Sequence, residues 1–106
     1  MDADFTQCPF FDDLKVGGGY VVKTCDFTYT PEDPSLFANP KAFLACNRIQ
    51  MLTNDYIRIR AKVTSVSSTT VSVEYGTWDY SRVGDFKCTI VVIANSIMGM
   101  LSILFC

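Results

Sequence analysis

At 106 residues, 49% hydrophobic and 19% charged, the chain can bury a core of its own and is too apolar to remain intrinsically disordered. Nine basic and eleven acidic residues leave a net charge of −2, which gives no long-range attraction to a phosphate backbone and argues against nucleic acid as a partner. The chain has no histidine, so it lacks the commonest general base at neutral pH, the commonest metal ligand and the usual pH switch.

Residues 1–18 read as irregular and acidic, with Phe5, Phe10 and Phe11 as anchors onto the body. Gly17-Gly18-Gly19 marks a turn. It is no phosphate cradle, because a strand pattern follows it and no Lys-Ser or Lys-Thr closes a P-loop. From Tyr20 to Thr30, aromatic and β-branched residues alternate with polar ones, which predicts a strand. Pro31, Pro34 and Pro40 then punctuate a loop. Asn39-Pro40 has the form of a helix start, and Ala42, Ala45, Cys46, Ile49 and Leu52 recur near the helical period. The spacing therefore predicts one amphipathic helix over 40–52.

Ile57, Ile59, Ala61 and Val63 alternate with Arg58, Arg60, Lys62 and Thr64, the pattern of a half-buried strand with a basic outer face. Ser65 to Ser68 predict a turn. Val71, Val73 and Tyr75 then alternate with Ser72 and Glu74, so the two strands are expected to form a hairpin. A further turn near Ser81 to Asp85 leads into an apolar strand beginning at Phe86.

From Cys88 to the last residue, Cys106, nineteen consecutive positions carry no charge. As one helix the run would be long enough to cross a bilayer. As a terminal apolar tail behind small residues it has the form of a GPI signal. Its first half, TIVVIA, is rich in β-branched residues and suits a strand better, and Asn95-Ser96 interrupts it. The favoured reading is a core strand over 88–94, a turn, and a second buried segment over 97–105. A single domain over 1–106 follows, the alternative being a β domain over 1–87 with a membrane anchor or GPI signal over 88–106.

Five cysteines stand at spacings of 17, 21, 42 and 18 residues with no C-x-x-C pair, which removes zinc ribbons and thioredoxin-like motifs. Two structural disulfides and one odd thiol fit an oxidising compartment. Cys8, Cys25, Cys46 and Cys88 are the expected partners, with Cys106 left over. No secretory leader is legible in MDADFTQCPFFDD, so an extracellular chain is expected to have lost one.

The expected fold class is mainly β, a β-rich α+β arrangement. It consists of a small antiparallel sheet or sandwich with one short helix, stapled by at least one disulfide from the helix or N-terminal region to the sheet. No catalytic constellation is present. Asp12-Asp13 and Glu32-Asp33 are adjacent pairs whose carboxylates point apart in a strand, and Asp2-x-Asp4 lacks the glycine and distal acid of a calcium loop. No cofactor or metal is expected, and an enzyme would have to work with carboxylates alone.

The expected function is a non-catalytic secreted or cell-surface binding module with a protein partner. The second reading is a small β-barrel-like carrier of an apolar ligand, although eight closed strands would consume nearly all of the chain. Candidate contact residues are Tyr75, Trp78 and Tyr80, aromatics with polar handles around a loop, and the cationic row Arg58, Arg60 and Lys62. The plain alternatives are core plugs for the aromatics and a solvated strand face for the cations.

Overall fold

The structure, a computed structural model, describes residues 1–31, 38–52, 56–95 and 101–105. The elements in chain order are β1 (Asp2–Asp4), a 3-10 turn (Phe5–Gln7), α1 (Asp12–Val16), β2 (Tyr20–Thr28), β3 (Ala38–Met51), β4 (Ile59–Val66), β5 (Thr70–Trp78), β6 (Val83–Asn95) and β7 (Leu101–Phe105). They form two antiparallel sheets. In one, β6 lies between β3 on one side and β1 and β7 on the other; in the second, β5 lies between β2 and β4.

The two central strands supply most of the core. Val71, Val73, Tyr75 and Thr77 of β5 are buried, as are Phe86, Cys88, Ile90 and Val92 of β6. Each set follows the two-residue period that places one face of a strand inward. The β4–β5 hairpin forms as its alternation predicts: Ser67 N donates to Thr70 O at 2.8 Å, and the Ser67 hydroxyl accepts from the amides of Thr69 and Thr70. Ile57, expected to point inward with Ile59, precedes β4 and is exposed.

The chain's N-terminal segment is more ordered than its composition suggests. Asp4 caps the 3-10 turn through the amide of Thr6 at 3.1 Å, and α1 carries Asp12 and Asp13 in its first turn and Lys15 in its last, the polarity that suits a helix dipole. Phe5, Phe11 and Leu14 from this segment are fully buried, whereas Phe10 is exposed. Phe5 stacks on Phe86 at 4.4 Å and meets Tyr75 at 5.0 Å and Phe27 at 5.3 Å, so a single ring touches both sheets.

The helix expected over 40–52 is a strand. β3 pairs with β6 at eleven positions from Ala38↔Asn95 to Met51↔Val83, and that ladder outweighs a weak local preference. Asn39-Pro40, with the form of a helix cap, instead fills a break in the ladder between Ala38 and Lys41. Asn39 takes a φ of 50°, which asparagine tolerates, and Pro40 has no N–H to lose at that break. The one α-helix among the described residues is α1.

Disulfides join Cys8 to Cys25 and Cys46 to Cys88. The first ties the N-terminal segment to β2. The second links residues directly opposite in the β3–β6 ladder. Cys106 lies outside the described residues.

Of the uncharged terminal run, Cys88 to Asn95 belong to β6, and Leu101–Phe105 returns antiparallel to it as β7. The expected turn at Asn95-Ser96 falls at the edge of the described residues. Among the described residues no helix is long and apolar enough to cross a membrane.

Candidate functional site

The outer face of the β2–β5–β4 sheet opposes the core-facing row of Val71, Val73, Tyr75 and Thr77. Register places Tyr20 of β2 opposite Trp78 of β5, with Arg60 of β4 opposite Gly76 and Lys62 opposite Glu74. Strand period puts these residues on one face. Tyr20 (63% exposed), Tyr56 (80%), Trp78 (40%) and Tyr80 (73%) collect at the same end of the sheet.

Contacts tie the arginines to these aromatics in two groups. The Arg60 guanidinium lies 5.1 Å from the Tyr20 ring centroid, donates to the Tyr20 hydroxyl, and is 3.8 Å from the Glu74 carboxylate. Arg58 lies 5.4 Å from the Tyr56 ring centroid and pairs with Asp79 at 3.4 Å. Tyr20 and Arg60 meet although β5 runs between their strands, and residue 76 of β5 is a glycine. A Cβ there would sit 2.2 Å from the Val21 carbonyl oxygen, so Gly76 also permits the close approach of β2 and β5.

The loop after β5 completes the site. Asp79 and Tyr80 have φ of 55° and 59°, and Ser81 N donates to Trp78 O at 3.3 Å. Consecutive positive φ angles are the requirement of a type I′ turn, usually met by Asn-Gly or Asp-Gly. A tyrosine in this conformation costs about 1–2 kcal/mol. The turn is held to the glycine loop, since Asp79 N donates to Gly19 O and Tyr80 N to Gly18 O at 2.9 and 3.0 Å. The phosphate-free reading of Gly17-Gly18-Gly19 gains a structural role here: it is the seat for the turn that presents Tyr80.

The six expected contact residues thus separate. Trp78, Tyr80, Arg58 and Arg60 come together, and Lys62 lies further along the same face, exposed and without a carboxylate in ion-pair range among the described residues. Tyr75 is fully buried and belongs to the core, as its place in the Val71–Val73–Tyr75 alternation requires. Among the described residues its hydroxyl has no hydrogen-bond partner, and burial, with the charge of Asp13 second, pushes the phenol above its usual pKa of 10.0.

Tyr20 and Tyr56 were not singled out from the sequence. Both had a signal in strand phase: Tyr20 shares the polar phase of Thr24 and Asp26, and Tyr56 that of Arg58 and Arg60.

Two of the three strand cations are neutralised in place, so the row is not a free basic strip. Its chemistry is alternating guanidinium, carboxylate and aromatic ring, which offers stacking surfaces and directional hydrogen bonds together. Among the described residues, no group of three or more cysteine, aspartate or glutamate side chains could hold a metal ion. The two disulfides are compatible with an extracellular location. Compared with known proteins, the chain matches no family model, no curated protein and no solved structure.

Proposed function

We propose that the chain is a non-catalytic interaction module, secreted or displayed at the cell surface, that binds a protein partner through the Tyr20–Tyr56–Trp78–Tyr80 end of the β2–β5–β4 sheet. The observation that carries this reading is the exposure of four large aromatics together with two ring-stacked arginines. Tryptophan, tyrosine and arginine are the residues that dominate binding energy at protein interfaces. Their ion pairs and the glycine-seated turn hold the side chains in place before contact, which lowers the ordering cost of association. The strained Tyr80 supports the same reading, because glycine in that position would relieve the backbone and remove the ring.

The carrier reading gains less support. The space between the sheets is filled by Phe5, Phe11, Tyr75 and Phe86, all buried and in ring contact.

The test is a binding comparison on an array of extracellular protein domains, using the intact chain and the variants Tyr20→Ala, Tyr80→Gly and, exposed on β3 of the other sheet, Gln50→Ala. The two aromatic variants should lose at least about tenfold in affinity for whatever the wild type captures, the scale of an interface hot spot. Gln50→Ala should bind unchanged. If the aromatic variants bind as the wild type does, or the wild type captures nothing, the proposal is wrong.

A further inference from the structure

β3 pairs with β6 along one side, and among the described residues no strand pairs with its other side. Its ladder is interrupted at Ala38/Lys41, Cys46/Arg48 and Gln50/Met51, and between the first two breaks Lys41 to Cys46 run in regular register. That stretch carries a row of backbone donors and acceptors, the feature that invites a further strand. Across from it lies β4, the edge of the other sheet. Pro40, Lys41 and Phe43 face Val63, Thr64 and Val66 around an open groove of about 380 Å³. Phe43 is 55% exposed there, without a covering element among the described residues.

Among the described residues, the charge lining the groove has one sign. Six of the nine basic residues have a carboxylate within 4.0 Å: Lys15, Lys23, Arg48, Arg58, Arg60 and Lys87. Among the described residues Lys41 has none, and it stands exposed on β3 at the rim of the groove. Among the described residues no acidic side chain lines the groove.

We infer that the β3–β4 groove accepts an extended segment of a partner protein in which apolar and acidic residues alternate, added as a strand along Lys41 to Cys46. Backbone pairing supplies affinity in this mode, and pockets for alternate side chains supply selectivity. One side-chain row of the incoming strand meets Ala42, Leu44, Val63 and Val66, half-buried residues on the core side of β3 and β4. The other row meets Lys41 and Phe43. A second copy of the chain is the poorer occupant, because edge pairing through a two-fold would bring two cationic edges together without an acid between them.

This site is separate from the aromatic face, and its test needs no natural partner. The probe is a fluorescein-labelled, capped peptide of alternating Val and Glu, about six residues long to match the regular run. It is titrated by anisotropy against the intact chain, beside an alternating Val and Lys peptide and a Val/Glu peptide N-methylated at alternate residues. The acidic peptide should saturate at least about fivefold more tightly than the basic one, the scale of one or two exposed ion pairs. Lys41→Glu, at an exposed position, should reverse that order. N-methylation should abolish binding while leaving the protein unaltered. Equal binding of acidic and basic peptides, no saturation at millimolar peptide, amide shift changes confined to the Tyr20–Trp78 face, or a stable dimer in sedimentation would each overturn the inference.

Discussion

Three buried hydroxyls, Tyr75 Oη, Thr77 Oγ1 and Ser81 Oγ, have no hydrogen-bond partner among the described residues. A hydroxyl taken from water without a replacement partner costs about 1–3 kcal/mol, whereas an apolar isostere avoids that cost. Tyr75→Phe and Thr77→Val are therefore each expected to stabilise the fold by on the order of 1 kcal/mol in urea denaturation. A loss of stability in both would show that those hydroxyls are satisfied in solution. Tyr75 also sets an alkaline limit. Its folded-state pKa lies above the unfolded value of 10.0, so the neutral phenol is favoured by folding. That stabilisation is complete below about pH 10 and is lost as pH rises from there through the folded-state pKa. The melting temperature of the wild type should fall more steeply above pH 10 than that of Tyr75→Phe, and parallel curves would count against this assignment.

Among the elements, β3 shows how local and tertiary preferences compete. Ala42, Ala45, Cys46, Ile49 and Leu52 do recur at helical spacing, and the same residues also contain a two-residue alternation. Ala42 and Leu44 are half-buried, while Lys41, Phe43 and Ala45 are exposed. Both patterns are present, and the partner strand selects between them. β6, with buried Phe86, Cys88, Ile90 and Val92, needs neighbours for its backbone on both sides, and the Cys46–Cys88 disulfide fastens β3 along one of them. By loop-closure entropy, the bond across 42 residues should contribute about 4 kcal/mol and the Cys8–Cys25 bond across 17 about 3 kcal/mol. Replacing each pair by alanine should thus destabilise more for Cys46–Cys88, as read from urea midpoints. The reverse order would mean that tethering the N-terminal segment matters more than closing the long loop.

For the whole molecule, the long dimension follows from its two longest strands. At about 3.3 Å per residue, the 14 residues of β3 and 13 of β6 span over 40 Å, and the principal extents are 50 × 19 × 18 Å. The radius of gyration, 15.4 Å, exceeds the approximately 13 Å of a compact chain of this size. One core cluster joins the two sheets, and within it Phe5 is the ring that touches Phe27, Tyr75 and Phe86 together. Phe5→Ala should cost about 3–5 kcal/mol, and both sheets should unfold in one transition. A loss below about 1 kcal/mol, or two separate transitions, would show that each sheet stands without it.

Period-two alternation determined β2, β4 and β5 from the sequence alone, because each has one face toward the core and one toward water, and β6 was legible instead as a continuous apolar run. The apolar, charge-poor composition likewise pointed to an ordered β domain, and the spaced cysteines pointed to disulfides. The sequence also placed Arg58, Arg60, Trp78 and Tyr80 among the surface candidates. It could not place Tyr20 and Tyr56 beside them, since that neighbourhood depends on β2 and β4 flanking β5. Tyr75 and Trp78 were grouped as candidates although they lie in opposite phases of β5, and the phase of Val71 and Val73 puts Tyr75 in the core. The state of 38–51 and the pairing of the cysteines were decided in the tertiary structure. A marginal local preference amounts to tenths of a kcal/mol per residue, and a partner strand with a covalent tie outweighs it.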